Sequence, residues 1–162
     1  ILVGNSNAKN SVIVFSDPLC PNCKEVVSDL IKVANKAPDK LCVYLYHYPL
    51  AKIHPSSPAL IKAIIYLKIK GYNIVPLVYS YNFKNITNDK KTLSELNTLL
   101  RVNGINVQVN PNDIKRTDVV RKYNNDQVKA KELSISFTPS IYTNGKHDHA
   151  QKQYRQIKAT VQ

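Results

Sequence analysis

The feature that most constrains this chain is a cysteine pair that falls between a strand pattern and a helix pattern. Residues 11–15 read Ser-Val-Ile-Val-Phe, a β-branched and aromatic run that is apolar on both faces, as in a buried central strand. The motif Cys-Pro-Asn-Cys follows at 20–23, and apolar residues then recur with helical spacing up to position 34. Pro21 suits the first turn of a helix, because the N–H that it lacks would have no partner there. We therefore predict that the cysteine pair lies at a helix N terminus.

The next part of the chain predicts an α/β order. A second strand is expected at 41–47, and because a helix separates it from the first strand, the two should pair in parallel through a right-handed crossover. The patterns that follow are helical. One helix is predicted from Ser57 to Gly71, and a helix followed by a loop is predicted over 72–91. Another helix should begin at a capping box, Thr92–Glu95, and end at Asn103–Gly104. Further helical structure is expected from Pro111 to about Leu133, with a break near Asn124–Asn125.

The C-terminal part predicts a hairpin and a helix. A third strand at 140–143 precedes Asn144-Gly145, the strongest short hairpin signal, and a short fourth strand is expected at 146–149. A terminal helix is expected from about 150 to 161. These elements predict a single α/β domain over residues 1–162, with a central mixed sheet and an all-helical insertion at about 57–134 between the second and third strands.

Composition narrows the class of protein. The 162 residues are 43% hydrophobic with three cysteines, too apolar for a disordered chain and too poor in cysteine for a disulfide scaffold. The net charge of +12 is scattered, with no run of five like charges and no aromatic-basic motif, so no nucleic-acid partner is predicted. Because the chain begins Ile-Leu-Val and contains no Met, we expect that a signal peptide has been removed or that the chain comes from a longer protein.

The cysteine pair predicts redox chemistry. Two thiols separated by two residues at a helix start can close a small disulfide with little movement. The unpaired N–H groups and the positive end of the helix dipole should lower the pKa of the Cys20 thiol, which makes it a good leaving group. Cys23, one turn further in, should be more buried and act as the resolving thiol.

Two other interpretations of the pair remain open. Cys-x-x-Cys is also half of many zinc sites, but Cys42 stands alone and the histidine pairs 47/54 and 147/149 do not have the spacing of a zinc finger. The pair could also be purely structural, in a binding or chaperone module without redox activity. Metal analysis and the reactivity of Cys20 distinguish these readings.

Three segments together resemble a known family. The run 14–23, Val-Phe-Ser-Asp-Pro-Leu-Cys-Pro-Asn-Cys, is similar to the active-site segment of thioredoxin-fold disulfide oxidoreductases of the bacterial envelope, close to the DsbA and DsbC/DsbG groups. Residues 137–141, Phe-Thr-Pro-Ser-Ile, with Asn-Gly-Lys at 144–146, resemble the family's cis-proline loop and the turn after its third strand. His-Tyr-Pro-Leu at 47–50, followed by His-Pro at 54–55, resembles the start of the family's helical insertion.

The resemblance implies a fold, an activity and a site. The fold would be thioredoxin-like, and the activity that of a thiol:disulfide oxidoreductase, an oxidase or isomerase, with no cofactor beyond the Cys20–Cys23 disulfide. Pro21 and Asn22 would complete the active-site motif. Pro139 would be the cis-proline and would turn the backbone of Thr138 toward the cysteines, where it can pair with an extended substrate.

The resemblance also implies a cellular setting. The substrates would be cysteine-containing exported proteins, the redox partner a membrane protein, and the location the periplasm or cell envelope. The resemblance also allows a dimer, formed through a domain missing from this chain.

The chain departs from the family pattern in two places. DsbA carries a histidine in the third place of its motif, where this chain has Asn22, so the potential should be less oxidising than that of DsbA. Thr138 is more like the isomerase group. A thioredoxin-like reductant is therefore an alternative. Among the remaining candidates, we expect Cys42, His47 and His54 to be structural, and Asp17 to order the loop before Cys20.

Overall fold

The fold is described here from a computed structural model, which covers residues 1–84 and 86–161, with the backbone alone at 152, 158, 159 and 161. Its strands are β1 (Asn10–Ser16), β2 (Leu41–His47), β3 (Ser140–Thr143) and β4 (Lys146–His147). Its helices are α1 (Pro21–Lys36), α2 (Ser57–Ile69), α3 (Val75–Ser80), α4 (Asp89–Val102), α5 (Thr117–Glu132) and α6 (Lys152–Val161), with a 3-10 turn at Asp113–Lys115. Within the described ranges, every helix is too short or too polar to cross a bilayer.

The four strands form one mixed sheet in the order β2-β1-β3-β4. β1 pairs with β2 in parallel and with β3 antiparallel, and β3 pairs with β4 antiparallel. The predicted strand–helix–strand unit and the mixed sheet are thereby confirmed. β1 lies between β2 and β3, so it is an inner strand of the sheet. The cysteine motif follows its carboxyl end and therefore has a strand on each side.

The strand and helix that carry the motif are held by burial. Val12, Val14 and Phe15 of β1 are at most 1% exposed. α1 begins at Pro21 and buries an apolar stripe of seven residues, Cys23, Val26, Val27, Leu30, Ile31, Val33 and Ala34. Fully burying an aliphatic side chain contributes about 1.5–3 kcal/mol, so the start of α1 is fixed firmly against the sheet.

The turn after β3 has the predicted hairpin chemistry. Asn144 and Gly145 both have positive φ, 50° and 79°, as a two-residue type I′ turn requires. The Asn144 side-chain oxygen also accepts a hydrogen bond from the Ser11 N–H at 2.9 Å. The turn therefore ties the β3–β4 hairpin to the start of β1.

The open edge of β2 is covered from two sides. Near its start, Val43 exchanges backbone hydrogen bonds with Leu2 and Val3. Gly4 permits this approach, because a Cβ there would lie 2.1 Å from the Leu41 carbonyl oxygen. These contacts occupy polar groups that an edge strand would otherwise offer to another chain.

At the carboxyl end of β2, side chains of α5 form hydrogen bonds with the strand's backbone. The Asp126 carboxyl accepts a hydrogen bond from the His47 N–H at 3.0 Å. The Gln127 amide donates to the His47 carbonyl at 2.9 Å. The helical segment is thus bonded directly to the carboxyl end of β2, next to the end of β1.

Two predictions within the helical segment are wrong. Thr92–Glu95 does not begin α4: Asn88 is the N-cap and accepts from the Lys91 N–H, while Thr92 is buried inside the helix. The Glu95 carboxyl accepts from the Tyr81 hydroxyl and the Lys84 N–H instead of reaching back to the cap. A tertiary contact therefore outcompetes the local capping pattern.

The predicted break near Asn124–Asn125 is also wrong. α5 runs unbroken through both asparagines from Thr117 to Glu132, and the interruption falls earlier, at Arg116, after the 3-10 turn. Packing of α5 against α2 and β2 outweighs the weak helix propensity of asparagine. Smaller differences are that β4 ends at His147 and that α6 begins at Lys152.

His47 and Asp126 should change the free energy of unfolding in opposite directions as the pH changes. Burial lowers the pKa of His47 to about 4, so below pH 6.5 the unfolded chain takes up a proton that the folded chain does not, and stability is lost on acidification. Burial raises the pKa of Asp126 to about 6, so between about pH 4 and 6 the unfolded chain ionises first and stability is lost as the pH rises.

Asp126→Asn isolates the second effect. Asparagine keeps an acceptor for the His47 N–H, so we expect the variant to be more stable than the parent by about 2 kcal/mol at pH 7 and equal to it at pH 4. Urea unfolding at both pH values measures this, with the exposed Asp89→Asn as the control. A difference that does not change between pH 7 and 4 would contradict the argument.

Candidate active site around Cys20 and Cys23

The cysteine motif lies where β1 ends and α1 begins. Cys20 is the N-cap residue of α1, with extended backbone angles, and Pro21 opens the first turn. The Cys20 N–H donates to the Asp17 carbonyl at 3.1 Å, and its own carbonyl accepts from the Lys24 N–H. Acidic residues are missing from this described first turn. The Cys20 thiol therefore meets the positive end of α1 without a competing carboxylate from the first turn of the helix.

The two thiols of the motif differ in exposure. Both are free, and they lie close together. Cys20 is 7% exposed and Cys23 is fully buried. Burial raises the pKa of Cys23 to about 12, although hydroxyl groups of Ser16 and Thr138 partly counteract it. At neutral pH Cys23 is thus a neutral thiol.

A buried hydroxyl pair lies beneath Cys23. The Tyr79 hydroxyl donates to the Ser16 hydroxyl at 2.9 Å, and both side chains are at most 1% exposed. Burial holds the pKa of Tyr79 well above its usual range, so its proton stays in place. Tyr79 belongs to α3, which also contacts α1. The helical segment thereby supplies part of the floor of the site.

The Asp17 carboxyl organises the loop that leads to Cys20. It is fully buried. One oxygen accepts from the Leu19 N–H at 2.8 Å and the Ser57 hydroxyl at 2.5 Å. The other accepts from the Leu50 N–H at 2.7 Å and lies 3.2 Å from His54 Nδ1. This one side chain joins the end of β1, the loop after β2 and the first residue of α2.

The loop before β3 faces the thiols. The Thr138–Pro139 peptide bond is cis, the geometry that the family resemblance implies for Pro139. The Thr138 carbonyl oxygen lies 3.8 Å from Cys20 Sγ. Ser140 braces this loop by donating from its hydroxyl to the Phe137 carbonyl at 2.7 Å, while the Phe137 side chain is 52% exposed. The structure thus brings the cysteine pair together with Thr138, which lies more than 110 residues further along the chain.

Lys24 fixes the first turn of α1 from the other side. Its ammonium group donates to the Tyr81 carbonyl and, at 3.2 Å, to the Asn82 side chain. Burial lowers the pKa of Lys24. These contacts link the first turn of α1 to the loop that follows α3.

The remaining candidates from the sequence, Cys42, His47 and His54, do not contact the two thiols in the hydrogen bonds described above. Cys42 is buried within β2. His54 contacts Asp17, and His47 lies at the end of β2 against α5. Across the described residues, three or more His, Cys, Asp or Glu side chains are nowhere grouped so as to hold a metal ion.

Sequence reasoning missed Ser16, Ser57 and Tyr79 as parts of the site. Ser16 has a weak local signal, since it is a polar residue at the end of an apolar strand and becomes fully buried. Ser57 and Tyr79 have none, because they lie 37 or more positions after Cys20 and reach the site only through helix packing.

Comparisons with known proteins identify the family. A family model described as thioredoxin matches residues 1–162. The chain belongs to the thioredoxin family. This confirms the thioredoxin-like fold, with its mixed sheet and the helical insertion between the second and third strands. A search of curated proteins gave no match.

Solved structures agree on the fold. A thioredoxin-like oxidoreductase from Silicibacter pomeroyi superposes with a TM-score of 0.75 at 16% identity, with 98% of this chain and 89% of the other covered. BdbD from Bacillus subtilis gives 0.70 at 19% identity, with 98% and 89% covered. The catalytic domain of ScsC from Proteus mirabilis gives 0.73 at 17% identity, with 98% and 86% covered.

The difference in burial between the thiols predicts selective alkylation. In the reduced protein at pH 7, iodoacetamide should modify Cys20 at least about tenfold faster than Cys23 or Cys42, since only Cys20 combines some exposure with the helix N terminus. Peptide mass spectrometry over a time course measures the three rates. In guanidinium chloride the rates should converge. Equal rates in the folded protein, or faster labelling of Cys23, would contradict this assignment.

Removing the Asp17 carboxyl should loosen the site and the fold together. Asp17→Ala leaves two partly buried backbone N–H groups, those of Leu19 and Leu50, without this acceptor, at about 1–3 kcal/mol each. Urea unfolding should show a loss of about 3 kcal/mol or more, and a smaller loss for Asp17→Asn, which keeps one acceptor oxygen. The exposed Asp39→Ala is the matched control. A loss below about 0.5 kcal/mol for Asp17→Ala would refute the role of this carboxyl.

Proposed function

We propose that this protein is a thiol:disulfide oxidoreductase that forms or rearranges disulfide bonds of exported proteins through Cys20 and Cys23. The observation that carries the proposal is the placement of Cys20. Its sulfur lies at a helix start, 3.8 Å from the Thr138 carbonyl, with the fully buried Cys23 behind it. A substrate can reach one thiol of the pair and not the other, which is what ordered disulfide exchange requires.

As an oxidase, the protein would start with a Cys20–Cys23 disulfide. A substrate thiolate attacks Cys20 Sγ, the bond between the two cysteines breaks, and Cys23 leaves with the electron pair. Cys23 ends as a neutral thiol, in keeping with its raised pKa, with the proton that the substrate thiol lost. The second substrate thiolate then attacks the substrate sulfur in the mixed disulfide, the bond from that sulfur to Cys20 Sγ breaks, and Cys20 leaves with the electron pair and takes up the proton that the second substrate thiol lost. The substrate gains a disulfide and the protein is left with two thiols.

As an isomerase, the protein would start reduced. The Cys20 thiolate attacks an incorrect substrate disulfide and forms a mixed disulfide, while a substrate thiolate leaves. That thiolate, or another on the same substrate, then attacks the substrate sulfur of the mixed disulfide and frees Cys20. No net oxidation occurs.

The exchange at Cys23 is shared by the oxidase and the reductant. A reductant releases itself when the Cys23 thiolate attacks Cys20 Sγ, which is the reverse of the step in which a substrate thiolate opens the Cys20–Cys23 disulfide. The raised pKa of Cys23 slows both directions, because Cys23 is a protonated nucleophile in one and a poor leaving group in the other. Asn22 favours the reductant, because a neutral amide supplies no positive charge to the Cys20 thiolate.

Substrate would bind along the loop before β3. An extended chain can pair with the backbone of Thr138, because the Thr138 carbonyl already faces Cys20. The half-exposed Phe137 ring offers an apolar contact to an unfolded segment. Pro21 and Asn22 complete the surface around Cys20.

The setting of the reaction forms part of the proposal. We place the protein in the periplasm or cell envelope, where disulfides persist, with a membrane redox partner that restores its working state. Residues 1–162 would act as one domain, and the helical segment at about 57–134 would support the site, since α2 binds Asp17 and α3 supplies Tyr79. A dimer would form through a region outside this chain.

The proposal is tested by trapping the mixed disulfide. Reduced Cys23→Ser protein, incubated with a disulfide-bonded peptide, should accumulate a covalent adduct at Cys20, because the resolving thiol is gone. Cys20→Ser should form none, and Cys42→Ala should behave like the parent. Mass spectrometry under non-reducing conditions measures the adducts. Adduct formation at Cys42, or none in Cys23→Ser, would overturn the proposal.

The reduction potential separates the possible activities. In a Cys42→Ala background equilibrated with glutathione, we expect a two-electron transition between about −120 and −180 mV, the range from DsbA to protein disulfide isomerase. A value near about −270 mV, as in thioredoxin, would support the reductant. A pair that shows no reversible transition would be structural.

A further inference from the structure

A second site is suggested by a cavity that the cysteine chemistry does not use. It has a volume of about 490 Å³ and lies between β2, α2 and α5. Its apolar wall includes Leu45, Ile64 and Ile65, and its polar side includes Lys68 and Lys122. The volume is in the range of small-molecule sites, which are about 300–1,000 Å³, with mostly apolar walls and a few polar groups. We call it the β2–α5 cavity.

The charges around the β2–α5 cavity favour an anion. Lys68 and Lys122 are both exposed side chains that line it, one from α2 and one from α5. Among the described residues neither lysine forms an ion pair, and Lys68 donates one hydrogen bond, to the Ile1 carbonyl at 3.0 Å. Asp126 is the acidic residue of the lining. Two ammonium groups therefore face a single carboxyl group.

His47 contributes no charge to the β2–α5 cavity. It lines the cavity, and only 7% of its surface is exposed. Burial lowers the pKa of its ring to about 4, so the ring is neutral at pH 7. The charged groups at the cavity are therefore Lys68, Lys122 and Asp126.

We propose that the β2–α5 cavity binds a linear amphipathic carboxylate, with its anionic head between Lys68 and Lys122 and its hydrocarbon chain against Leu45, Ile64 and Ile65. The apolar wall accounts for the chain and the two cationic side chains for the head. An alkylammonium ion would be repelled by the same lysines, and a neutral alcohol would gain only the apolar contact. The site is independent of the cysteine pair.

Asp126 should make this binding pH-dependent. The groups that face it are His47 on β2, Lys68 on α2 and Lys122 on α5. Because burial raises its pKa to about 6, Asp126 is negatively charged at pH 7.5 and largely neutral below pH 6. A fatty carboxylate still ionises in this range. Its affinity should therefore increase as the pH falls from 7.5 to 6, by about threefold or more.

The experiment is a titration of methyl-labelled protein with octanoate, followed by NMR. Shifts should concentrate on Leu45, Ile64 and Ile65. Affinity should increase up to about fourfold for each methylene from hexanoate to decanoate, below micelle formation. Lys68→Gln with Lys122→Gln should weaken binding at least tenfold. The control, Lys32→Gln with Lys131→Gln, makes the same charge change on exposed lysines elsewhere and should stay within twofold of the parent.

Two further comparisons make the proposal refutable. Octylamine should bind at least tenfold more weakly than octanoate, and Asp126→Asn should bind octanoate with little change between pH 7.5 and 6. Equal binding of octylamine, shifts spread over the surface, or an equal loss in the control pair would overturn the proposal. So would the absence of any saturable shift.

Discussion

The buried carboxyl of Asp17 is the constraint on which the site depends. It accepts hydrogen bonds from two backbone N–H groups and the Ser57 hydroxyl, and it contacts His54. A fully buried carboxyl is costly unless its oxygens are satisfied, so the loop before Cys20, the loop after β2 and the start of α2 must come together around it. The position of Cys20 is therefore set by a polar contact as much as by the sheet.

Burial gives the two thiols different roles, because Cys20 is partly exposed and Cys23 is fully buried. Both lie within one turn of the same helix, yet Cys23 packs into the core over the Ser16 and Tyr79 hydroxyls, while Cys20 faces the loop before β3. The same principle acts at the end of β2, where α5 buries His47 and Asp126 beside each other and shifts their pKa values toward the neutral forms. α2 thus supports the cysteine site through Ser57 and also lines the β2–α5 cavity through Ile64, Ile65 and Lys68.

Local sequence patterns predicted the elements that carry the site. The strand at 41–47, the start of α1 at Pro21 and the Asn144–Gly145 turn all form as expected, because each depends on side chains within a few residues of one another. The patterns failed where distant contacts compete. Glu95 binds Tyr81 and Lys84 instead of its own cap, and α5 continues through Asn124–Asn125 because its packing outweighs propensity.

The sequence alone determined the cysteine motif, its place at a strand–helix junction and, through its family resemblance, the loop at Thr138 and Pro139. It did not show that Ser16, Ser57 and Tyr79 surround the site, nor that His47, Asp126, Lys68 and Lys122 converge on one cavity. Those groups come from separate elements, and their neighbours are chosen by helix packing over long chain distances. Exposure and pKa depend on that packing, so only the tertiary structure decided which thiol is accessible and which groups are neutral.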